Sequence, residues 1–219
     1  KNTQILAIEL ANRLKKEKID ISLPGRTFSS GSKNPFFIIR DEIIDIFLGM
    51  GYQVADGPEV ETDRFNFELL NIPKDHPARD MQDTFYINEN TLLRPHTSPG
   101  QVRTMENKNP PIKILSPGRV YRADDDASHS PMFHQIEGLY INKNITMSDL
   151  VADIRAFLSR FFEMDNVELR IRPSYFPFTD PSIEVDLKWQ GGKWLEIMGA
   201  GMVHPNVLRN CGIDPNVYQ

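Results

Sequence analysis

The stretch IKILSPGRVYRADDDASHSPMFHQIEGLYIN, residues 112–142, is the most informative part of this chain. Two segments rich in apolar residues flank an acidic loop, a pattern that predicts a pair of antiparallel strands. On the second strand Phe133, Gln135 and Glu137 occupy alternate positions, so their side chains share one face. Arg122 ends the first strand, next to the loop. Polar groups on a face that would ordinarily be apolar indicate a binding surface.

Segments on both sides of this hairpin predict further strands and several helices. TFYI and TLLR flank the turn NEN, VELRIRP and IEVDLKW alternate, and Gln190-Gly191-Gly192 turns the chain into KWLEIMG. YQVADGPEVET predicts a short strand that ends at Gly57-Pro58. Helices are predicted over residues 4–18, from Pro35 and after Thr146. Helices beside consecutive hairpins, without βαβ alternation, favour an α+β fold built on an antiparallel sheet.

The helix that begins at Pro35 is apolar around most of its circumference. Asn34 is its predicted N-cap, and Gly51 is predicted just past its C-terminal end. One apolar stripe consists of Phe36, Ile39, Ile43, Phe47 and Met50. Four further apolar residues lie outside this stripe: Phe37, Ile38, Ile44 and Leu48. A helix of this kind is buried on two sides, so we expect a partner subunit or a second layer against it.

The composition argues against several classes of protein. The chain has 219 residues, of which 25 are Lys or Arg and 30 are Asp or Glu, and its net charge of −5 argues against binding nucleic acid through overall charge. The single cysteine, Cys211, excludes an internal disulfide framework and gives no basis for a zinc–thiolate site. No apolar run approaches the roughly 18 residues of a membrane span. A reduced, cytoplasmic compartment is therefore expected.

Two more segments concentrate polar or aromatic groups. RPHTSPGQVRTM, residues 94–105, follows the apolar TLL and carries Arg94, His96, Thr97, Ser98 and Gln101. SYFPFTDPS and EIMGAGMVHP bring two aromatic residues, Phe176 and Phe178, together with a Gly-Ala-Gly run that another molecule could approach closely. Taken alone, a histidine such as His96 is usually structural, Asp124 to Asp126 would be a solvated loop, and the two phenylalanines would pack in a core.

The combination of these groups is more informative than any one of them. HExxH, GxGxxG, GxxxxGK and GxSxG are absent, so the usual zinc protease, dinucleotide, P-loop and esterase signatures are missing. The guanidinium of Arg122 suits an anion, and Gln135 with Glu137 suits an ammonium group. Phe176 and Phe178 suit an aromatic or apolar side chain. Together they describe a site for an amino acid with a phosphate beside it.

The chain resembles the catalytic core of bacterial-type phenylalanyl-tRNA synthetase α subunits, a family of class II aminoacyl-tRNA synthetases. The resemblance runs from about Pro24 to Pro215 and rests on LPGR, GPEVETDRFNFELLNIPKDHPARDMQDTFY, LLRPHTSPGQVRTM, PGRVYR, FHQIEGL, RPSYFPFTDPS and WLEIMGAGMVHPNVL. It implies ATP-dependent activation of phenylalanine to phenylalanyl-adenylate and transfer to tRNA(Phe), with ATP and Mg²⁺ required. It also implies a β subunit as partner in an α2β2 assembly.

The resemblance further implies a role for each candidate residue. Arg122 would be catalytic and hold the ATP α-phosphate and the amino acid carboxylate, while Asp124, His129 and Phe133 would contact the nucleotide. The polar end of phenylalanine would be surrounded by His96, Ser98, Gln101, Gln135 and Glu137. The phenyl pocket would be formed by Phe176, Phe178 and Ala200, with Gly199 and Gly201 as its wall. The helix from Pro35 and the strand ending at Pro58 would build a subunit interface.

Three features depart from the family pattern. The third class II motif, Gly-x-Gly-x-x-Arg, is missing, and the nearest string, GAGMVH, has His204 in place of the arginine. In the family this motif follows after about where the chain stops, so we expect a piece of a longer protein. Residues 1–25 would be the end of an N-terminal helix plus a linker, and residues 26–219 an incomplete catalytic core. The other two departures are Asp124 and Asp180, which stand where glutamate is usual; Asp180 would be the magnesium contact.

Two other interpretations fit the same residues. One is a stand-alone class II-like ligase that makes an aminoacyl adenylate for an acceptor other than tRNA. The other is a non-catalytic binding or regulatory module derived from a synthetase. The intact set of His96, Ser98, Arg122, Gln135 and Glu137 argues against the second.

Overall fold

The computed structural model describes residues 2–17, 22, 25, 30–79, 83–124, 127, 129–189 and 192–219. The chain divides into a unit of residues 1–37 and a larger unit of residues 38–219. Part of the predicted linker at 21–35 and the predicted turn at Gln190-Gly191 lie outside the described residues. The first unit contains the predicted N-terminal helix, α1 (Asn2–Lys16), on which Ile5, Ile8, Leu10 and Leu14 are exposed.

The remaining elements follow the predicted order closely. The helices are α2 (Pro35–Gly49), α3 (Ser98–Asn107), α4 (Met147–Phe161) and α5 (Pro205–Asn210), with a π-helical turn over Arg64–Glu68 and a 3-10 turn over Pro77–Arg79. The strands are β1 (Gln53–Val54), β2 (Val60–Thr62), β3 (Tyr86–Asn88), β4 (Thr91–Leu93), β5 (Ile112–Tyr121), β6 (Met132–Ile141), β7 (Leu169–Phe176), β8 (Thr179–Lys188) and β9 (Trp194–Val203). The α+β fold is confirmed.

The strands form three sheets of three strands each in the described part of the chain: β1-β5-β6, β2-β4-β3 and β7-β8-β9. Every pair is antiparallel except β1 with β5, which is parallel. Strands β5 and β6 pair continuously from Ile112 opposite Ile141 to Tyr121 opposite Met132, which confirms the predicted long hairpin. The predicted hairpins β3–β4 and β8–β9 are present as well, and the predicted strand β7 pairs antiparallel with β8.

Two helix ends show why the sequence patterns succeeded. The Asn34 side chain accepts a hydrogen bond from the Phe36 amide over 2.9 Å, and Gly51 takes a φ of +87° just after α2, where glycine is favoured. At the start of α4, the carboxylate of Asp149 accepts from the Thr146 amide over 2.8 Å, and the Thr146 side chain completes a capping box.

Two clusters of buried side chains hold the larger unit together. The first cluster surrounds α3, β5, β6 and α5; its buried members are Phe67, Leu69, Leu70, Ile72, Leu92, Val102, Met105, Ile112, Ile114, Leu139, Ile141, Val207, Leu208, Cys211 and Ile213. The second cluster lies between α4 and the sheet of β7, β8 and β9; its buried members are Ile154, Phe157, Leu158, Val167, Ile183, Val185 and Leu187. On β8 Ile183, Val185 and Leu187 are buried on one face as the alternation predicts, but Asp186 on the other face is also buried, where it pairs with Arg170 and Arg172. No helix in the described ranges is long and apolar enough to cross a membrane.

Candidate active site

The carboxylate of Glu137 is the centre of the predicted polar cluster. Its Oε2 accepts hydrogen bonds from Ser98 Oγ and from Gln101 Nε2, both over 2.7 Å, and its Oε1 accepts from the Thr97 amide over 3.0 Å. Strand β6 presents the carboxylate, and the first turn of α3 presents the three donors. The structure therefore brings together Ser98, Gln101 and Glu137, which lie 36 to 39 residues apart in the chain.

Helix α3 starts at this point because Glu137 supplies the capping acceptor that the N-terminal sequence of the helix does not provide. The Thr97 side chain makes no capping hydrogen bond, and the carboxylate from β6 takes the Thr97 amide instead. A negative charge at a helix N-terminus is also favoured by the helix dipole. Gly100 permits the close packing of this turn on β5, because a Cβ there would lie 2.7 Å from Ser116 Oγ.

Several buried polar atoms around the cluster lack a partner in the described part of the chain. They are Thr97 Oγ1, Gln135 Oε1, both ring nitrogens of His96, and both amide atoms of Asn66. The His96 ring is 6.4 Å from the ring of Phe67, the neighbour of Asn66 in the π-helical turn. A buried acceptor without a partner costs about 1–3 kcal/mol, so these atoms favour a polar ligand or water beside them.

Burial also sets the protonation states at this site. The pKa of His96 is lowered to about 3, first by burial and then by the positive charge of Arg122, so the imidazole is neutral near pH 7. The pKa of Glu137 is raised by its burial, while the hydrogen bonds from Ser98 and Thr97 oppose that rise. A neutral imidazole offers one acceptor nitrogen, and the carboxylate retains acceptor capacity beyond the three bonds described.

Arg122 lies at the loop end of the β5–β6 hairpin, directly after β5. Its Nε donates to the Pro95 carbonyl over 3.1 Å, and its Cζ is 5.0 Å from the centre of the Phe133 ring. The Arg122 amide donates to the Pro131 carbonyl over 3.0 Å, which continues the pairing of the two strands. The guanidinium is thus fixed at its base, and Arg122 and Phe133 are brought together as the sequence predicts.

Two predicted nucleotide contacts lie in the loop beyond Arg122. Asp124 and His129 are both exposed, and residues 125, 126 and 128 between them lie outside the described residues.

The predicted aromatic residues do pair. The rings of Phe176 and Phe178 are stacked with centroids 5.8 Å apart and an interplanar angle of 12°. Phe178 packs against the first cluster, to which Val102 and Met105 of α3 also belong. At Gly199 a Cβ would lie 2.6 Å from Phe176 Cζ, so the absence of a side chain there makes room for the ring.

Ala200, the third predicted member of the phenyl pocket, is not brought together with these rings. It pairs with Ile183 across β8 and β9 and packs against the second cluster. Neighbours on a strand face opposite ways, so Ala200 faces away from the side on which Gly199 meets Phe176. Gly201 has a different neighbour as well, because a Cβ there would lie 2.6 Å from the Pro181 carbonyl oxygen and the Thr179 Cβ.

A cavity of about 370 Å³ lies beside Phe176. Its lining consists of Asn71, Pro173, Ser174, Tyr175, Phe176, Pro177, Thr179, Asp180, Pro181, Ser182 and His204. Phe176 is thus the member of the predicted phenyl pocket that borders it.

Asp180, the predicted magnesium contact, is exposed. Within the described ranges no group of three or more His, Cys, Asp or Glu side chains could hold a metal ion. A single carboxylate does not make a metal site of the protein's own.

Two residues of this region did not stand out in the sequence as site residues. Asn66 is completely buried, and the only signal would have been a polar residue between two phenylalanines in an apolar segment. Arg94 was noted only as one of several polar residues, yet its side chain is 4% exposed and donates to the carbonyls of Arg119 and Gly57, both over 2.9 Å.

The site as a whole combines three recognition elements. Unfilled acceptors around Glu137, Gln135 and His96 suit a group with several N–H donors, such as an ammonium. The guanidinium of Arg122 suits a carboxylate or a phosphate. Phe133 offers a ring face to a flat group, and the pair Phe176–Phe178 offers an apolar surface.

Comparisons with known proteins agree with this chemistry. The family model for the class II core domain (F) of tRNA synthetases matches residues 18–219. The phenylalanine–tRNA ligase alpha subunit of Acetivibrio thermocellus is 55% identical over 98% of this chain and 67% of its own length. That of Neisseria meningitidis serogroup B is 54% identical over 96% of this chain and 64% of its own length. The chain thus spans about two thirds of these curated relatives.

The fold agrees with solved structures of more distant proteins. The crystal structure of pyrrolysyl-tRNA synthetase from Desulfitobacterium hafniense superimposes with a TM-score of 0.62 at 17% identity, covering 82% of this chain and 63% of that one. At this identity the likeness concerns the fold alone.

Proposed function

Because the chain belongs to the phenylalanine–tRNA ligase alpha-subunit family of class II tRNA synthetases, we propose that it forms the site at which phenylalanine is activated by ATP and transferred to tRNA(Phe). The observation that carries the proposal is the Glu137 cluster. The half-buried carboxylate of Glu137 and an unfilled acceptor on Gln135 lie on the same hairpin as a guanidinium that is fixed at its base, and His96 lies just before α3 with further unfilled nitrogens.

The polar end of phenylalanine fits this cluster. An ammonium group has three N–H donors, and Glu137, Gln135 and neutral His96 each offer acceptor capacity. Ser98 and Gln101 hold the carboxylate of Glu137 in place by donating to it, so it need not reorient on binding. In this proposal their contribution is orientation rather than reaction.

Arg122 is the residue proposed to bind the α-phosphate during the reaction. The phenylalanine carboxylate attacks the α-phosphorus of ATP, an acyl phosphate bond forms, and pyrophosphate leaves. A hydroxyl of the tRNA then attacks the acyl carbon and releases AMP. Negative charge builds on the α-phosphate oxygens, and a positioned guanidinium stabilises it. Good orientation alone can supply about 7–11 kcal/mol of the barrier, so no side chain need act as a nucleophile.

The nucleotide and the phenyl ring are assigned to the aromatic residues. The ring of Phe133 would stack on adenine, with Asp124 and His129 in the loop beside the nucleotide. Phe176 and Phe178 would contact the phenyl ring, and Gly199 leaves Phe176 the space to do so. Mg²⁺ would enter with the phosphates of ATP, since Mg²⁺ often takes one or two carboxylates plus substrate phosphates. Asp180 is the candidate carboxylate.

The proposed partners are a β subunit, in an α2β2 assembly, and tRNA(Phe). Apolar residues of α2 that remain exposed support a protein partner: Ile38 is 50% exposed, Ile39 49% and Leu48 47%. The net charge of −5 suits a chain that shares the binding of tRNA with another subunit.

The proposal is tested with the full-length protein purified together with any subunit that accompanies it. Exchange of labelled pyrophosphate into ATP is measured with each of the twenty amino acids, followed by charging of tRNA(Phe). Phenylalanine should support exchange best, and tRNA should accept the product. Exchange without charging of any tRNA would favour a ligase with another acceptor. No exchange and no phenylalanine binding would favour a non-catalytic module.

A further inference from the structure

Arg94 is a buried cation that the mechanism above does not use. Its side chain is 4% exposed, and no carboxylate in the described ranges lies within ion-pair distance of it. Its pKa is lowered by burial. Burying a charge is costly unless hydrogen bonds compensate. Here the compensation comes from the main chain, since Nε donates to the Arg119 carbonyl and Nη1 to the Gly57 carbonyl, each over 2.9 Å.

The main chain of Arg94 joins the same two segments. Its amide donates to the Glu59 carbonyl over 3.0 Å, and its carbonyl accepts from the Tyr121 amide over 2.9 Å. Four hydrogen bonds from one residue thus connect residues 57–59 with residues 119–121. Arg122 comes directly after this clamped segment, and its Nε donates to the carbonyl of Pro95, the residue after Arg94.

Gly118 provides the space for this clamp. A Cβ at position 118 would lie 1.9 Å from Arg94 Nη2 and 3.0 Å from Arg94 Cζ. No real contact is that short, so a side chain at 118 and the Arg94 guanidinium cannot both keep their places. Strand β5 therefore requires a glycine here because of one particular side chain.

We propose that Arg94 is a positioning residue for the activation reaction, which fixes the end of β5 so that Arg122 meets the α-phosphate in the productive orientation. The test by pyrophosphate exchange rests on the proposed function, whereas the test by the position of Arg122 in crystal structures does not. Arg94 acts through Arg122 and touches no reacting atom. A misplacement of about 1 Å from a distant change can cost on the order of 10²-fold in rate.

The first variant is Arg94→Lys, which keeps the charge but cannot hold two carbonyls with a planar fork. In the full-length protein with its subunit, kcat for phenylalanine-dependent pyrophosphate exchange should fall by roughly 10- to 100-fold, while KM for phenylalanine changes less than about threefold. Arg155→Lys is the matched control, because Arg155 also donates to a main-chain carbonyl, that of Val167, outside this site. It should leave kcat unchanged. Near-normal kcat for Arg94→Lys would overturn the proposal, since charge alone would then suffice.

The second variant keeps Arg94 but fills the space that its guanidinium occupies beside Gly118. Gly118→Ala should displace the guanidinium and reproduce the loss of kcat. In the double variant Arg94→Lys/Gly118→Ala the two changes should not multiply, because they break the same clamp. Independent effects, or a fully active Gly118→Ala, would contradict the inference.

A structural readout separates this inference from the proposed function. Crystal structures of the full-length wild type, Arg94→Lys and Gly118→Ala would be compared at residues 119–122. We expect Arg122 to be displaced in both variants, whatever reaction the protein catalyses. An unmoved Arg122 in both would overturn the positioning role even if exchange activity is confirmed. A displaced Arg122 in a protein without exchange activity would support it while contradicting the proposed function.

Discussion

The guanidinium of Arg122 lies over the ring of Phe133, with 5.0 Å between Arg122 Cζ and the ring centre. The contact is made at the loop end of the β5–β6 hairpin, so the hairpin that carries the proposed phosphate-binding group on one side also carries, on the other, the ring proposed to stack on the base. A nucleotide held by both residues would have its base and its α-phosphate fixed by one rigid element.

Removal of the guanidinium gives the most direct prediction. Arg122→Ala in the full-length protein should lower kcat/KM for phenylalanine activation at least about 10²-fold, the loss expected for one electrostatic donor to the transition state. Pyrophosphate exchange measures it. Arg119→Ala is the control, because Arg119 is another exposed arginine near the end of β5, and its side chain lies beside Glu59 rather than Phe133. An active Arg122→Ala variant would exclude the assignment.

Neutralising Glu137 should weaken binding of the ammonium end of phenylalanine. Glu137→Gln retains an acceptor for the Thr97 amide but loses the charge. Phenylalanine affinity should fall about 10- to 100-fold, the size of a charge-assisted hydrogen bond of roughly 1.5–3 kcal/mol. Binding of 3-phenylpropionate, which has no ammonium group, should change less than about twofold. Calorimetry with both ligands tests this, and equal losses for the two would show that Glu137 acts only as the cap of α3.

A methyl group at position 199 should push Phe176 out of place. Gly199→Ala is expected to lower the free energy of unfolding by about 1–3 kcal/mol, as in other overpacked sites, and to weaken phenylalanine binding. Gly138→Ala is the matched strand control, since the nearest atom to a Cβ there is 3.7 Å away. Urea titrations compare the stabilities. Unchanged ligand binding in Gly199→Ala would remove Phe176 from the proposed pocket.

The neutral state of His96 should affect how the free energy of unfolding depends on pH in the acid range. Its pKa is about 3 in the folded chain, against about 6.5 for an unfolded histidine, so between these values only the unfolded state takes the proton. Stability is therefore lost as the pH falls from about 6.5 towards 3. In His96→Asn the dependence of the unfolding free energy on pH should be flatter by up to about 1.4 kcal/mol per pH unit. Parallel curves for the two proteins would contradict the burial of a neutral imidazole.

The position of Ala200 changes what is expected of it. An alanine that faces the second cluster is a packing residue, so Ala200→Gly should lower stability by about 0.5–1 kcal/mol. It should leave discrimination between phenylalanine and its para-substituted analogues unaltered. Exchange assays with these analogues provide the measurement. Admission of larger rings would restore the pocket role that the sequence suggested.

Most strands and the three longest helices, α1, α2 and α4, could be predicted because their signals are local. The alternation on β8, the capping residues Asn34 and Thr146, and Gly51 after α2 each act within a few residues of where they stand. The shared face of Phe133, Gln135 and Glu137 followed from strand periodicity in the same way.

Helix α3 was missed because its determinants are distant in sequence. Ser98-Pro99-Gly100 reads as a turn, although proline is accepted in the first turn of a helix. What allows the helix to start there is the carboxylate of Glu137, 40 residues from the Thr97 amide it accepts from. The role of Arg94 could not be predicted for the same reason. Its contacts with Gly118 and Arg119 arise only when β5 packs against the Arg94 side chain in the folded chain. For Ala200 the family pattern suggested a pocket, and only the pairing with Ile183 shows which way it faces.

The hydrogen bonds of Glu137 to α3 span 36 to 40 residues of chain, and this has a consequence for folding. Contacts of such separation form only after the intervening loop has been closed, so the site cannot exist in a locally ordered fragment. The Thr97 amide, on a residue that is 1% exposed and bonded to the Glu137 carboxylate, should exchange its hydrogen with solvent only through the global opening reaction. The fraction of molecules able to recognise a ligand is then the folded fraction, and any distant change that destabilises the core lowers the number of competent sites rather than their quality.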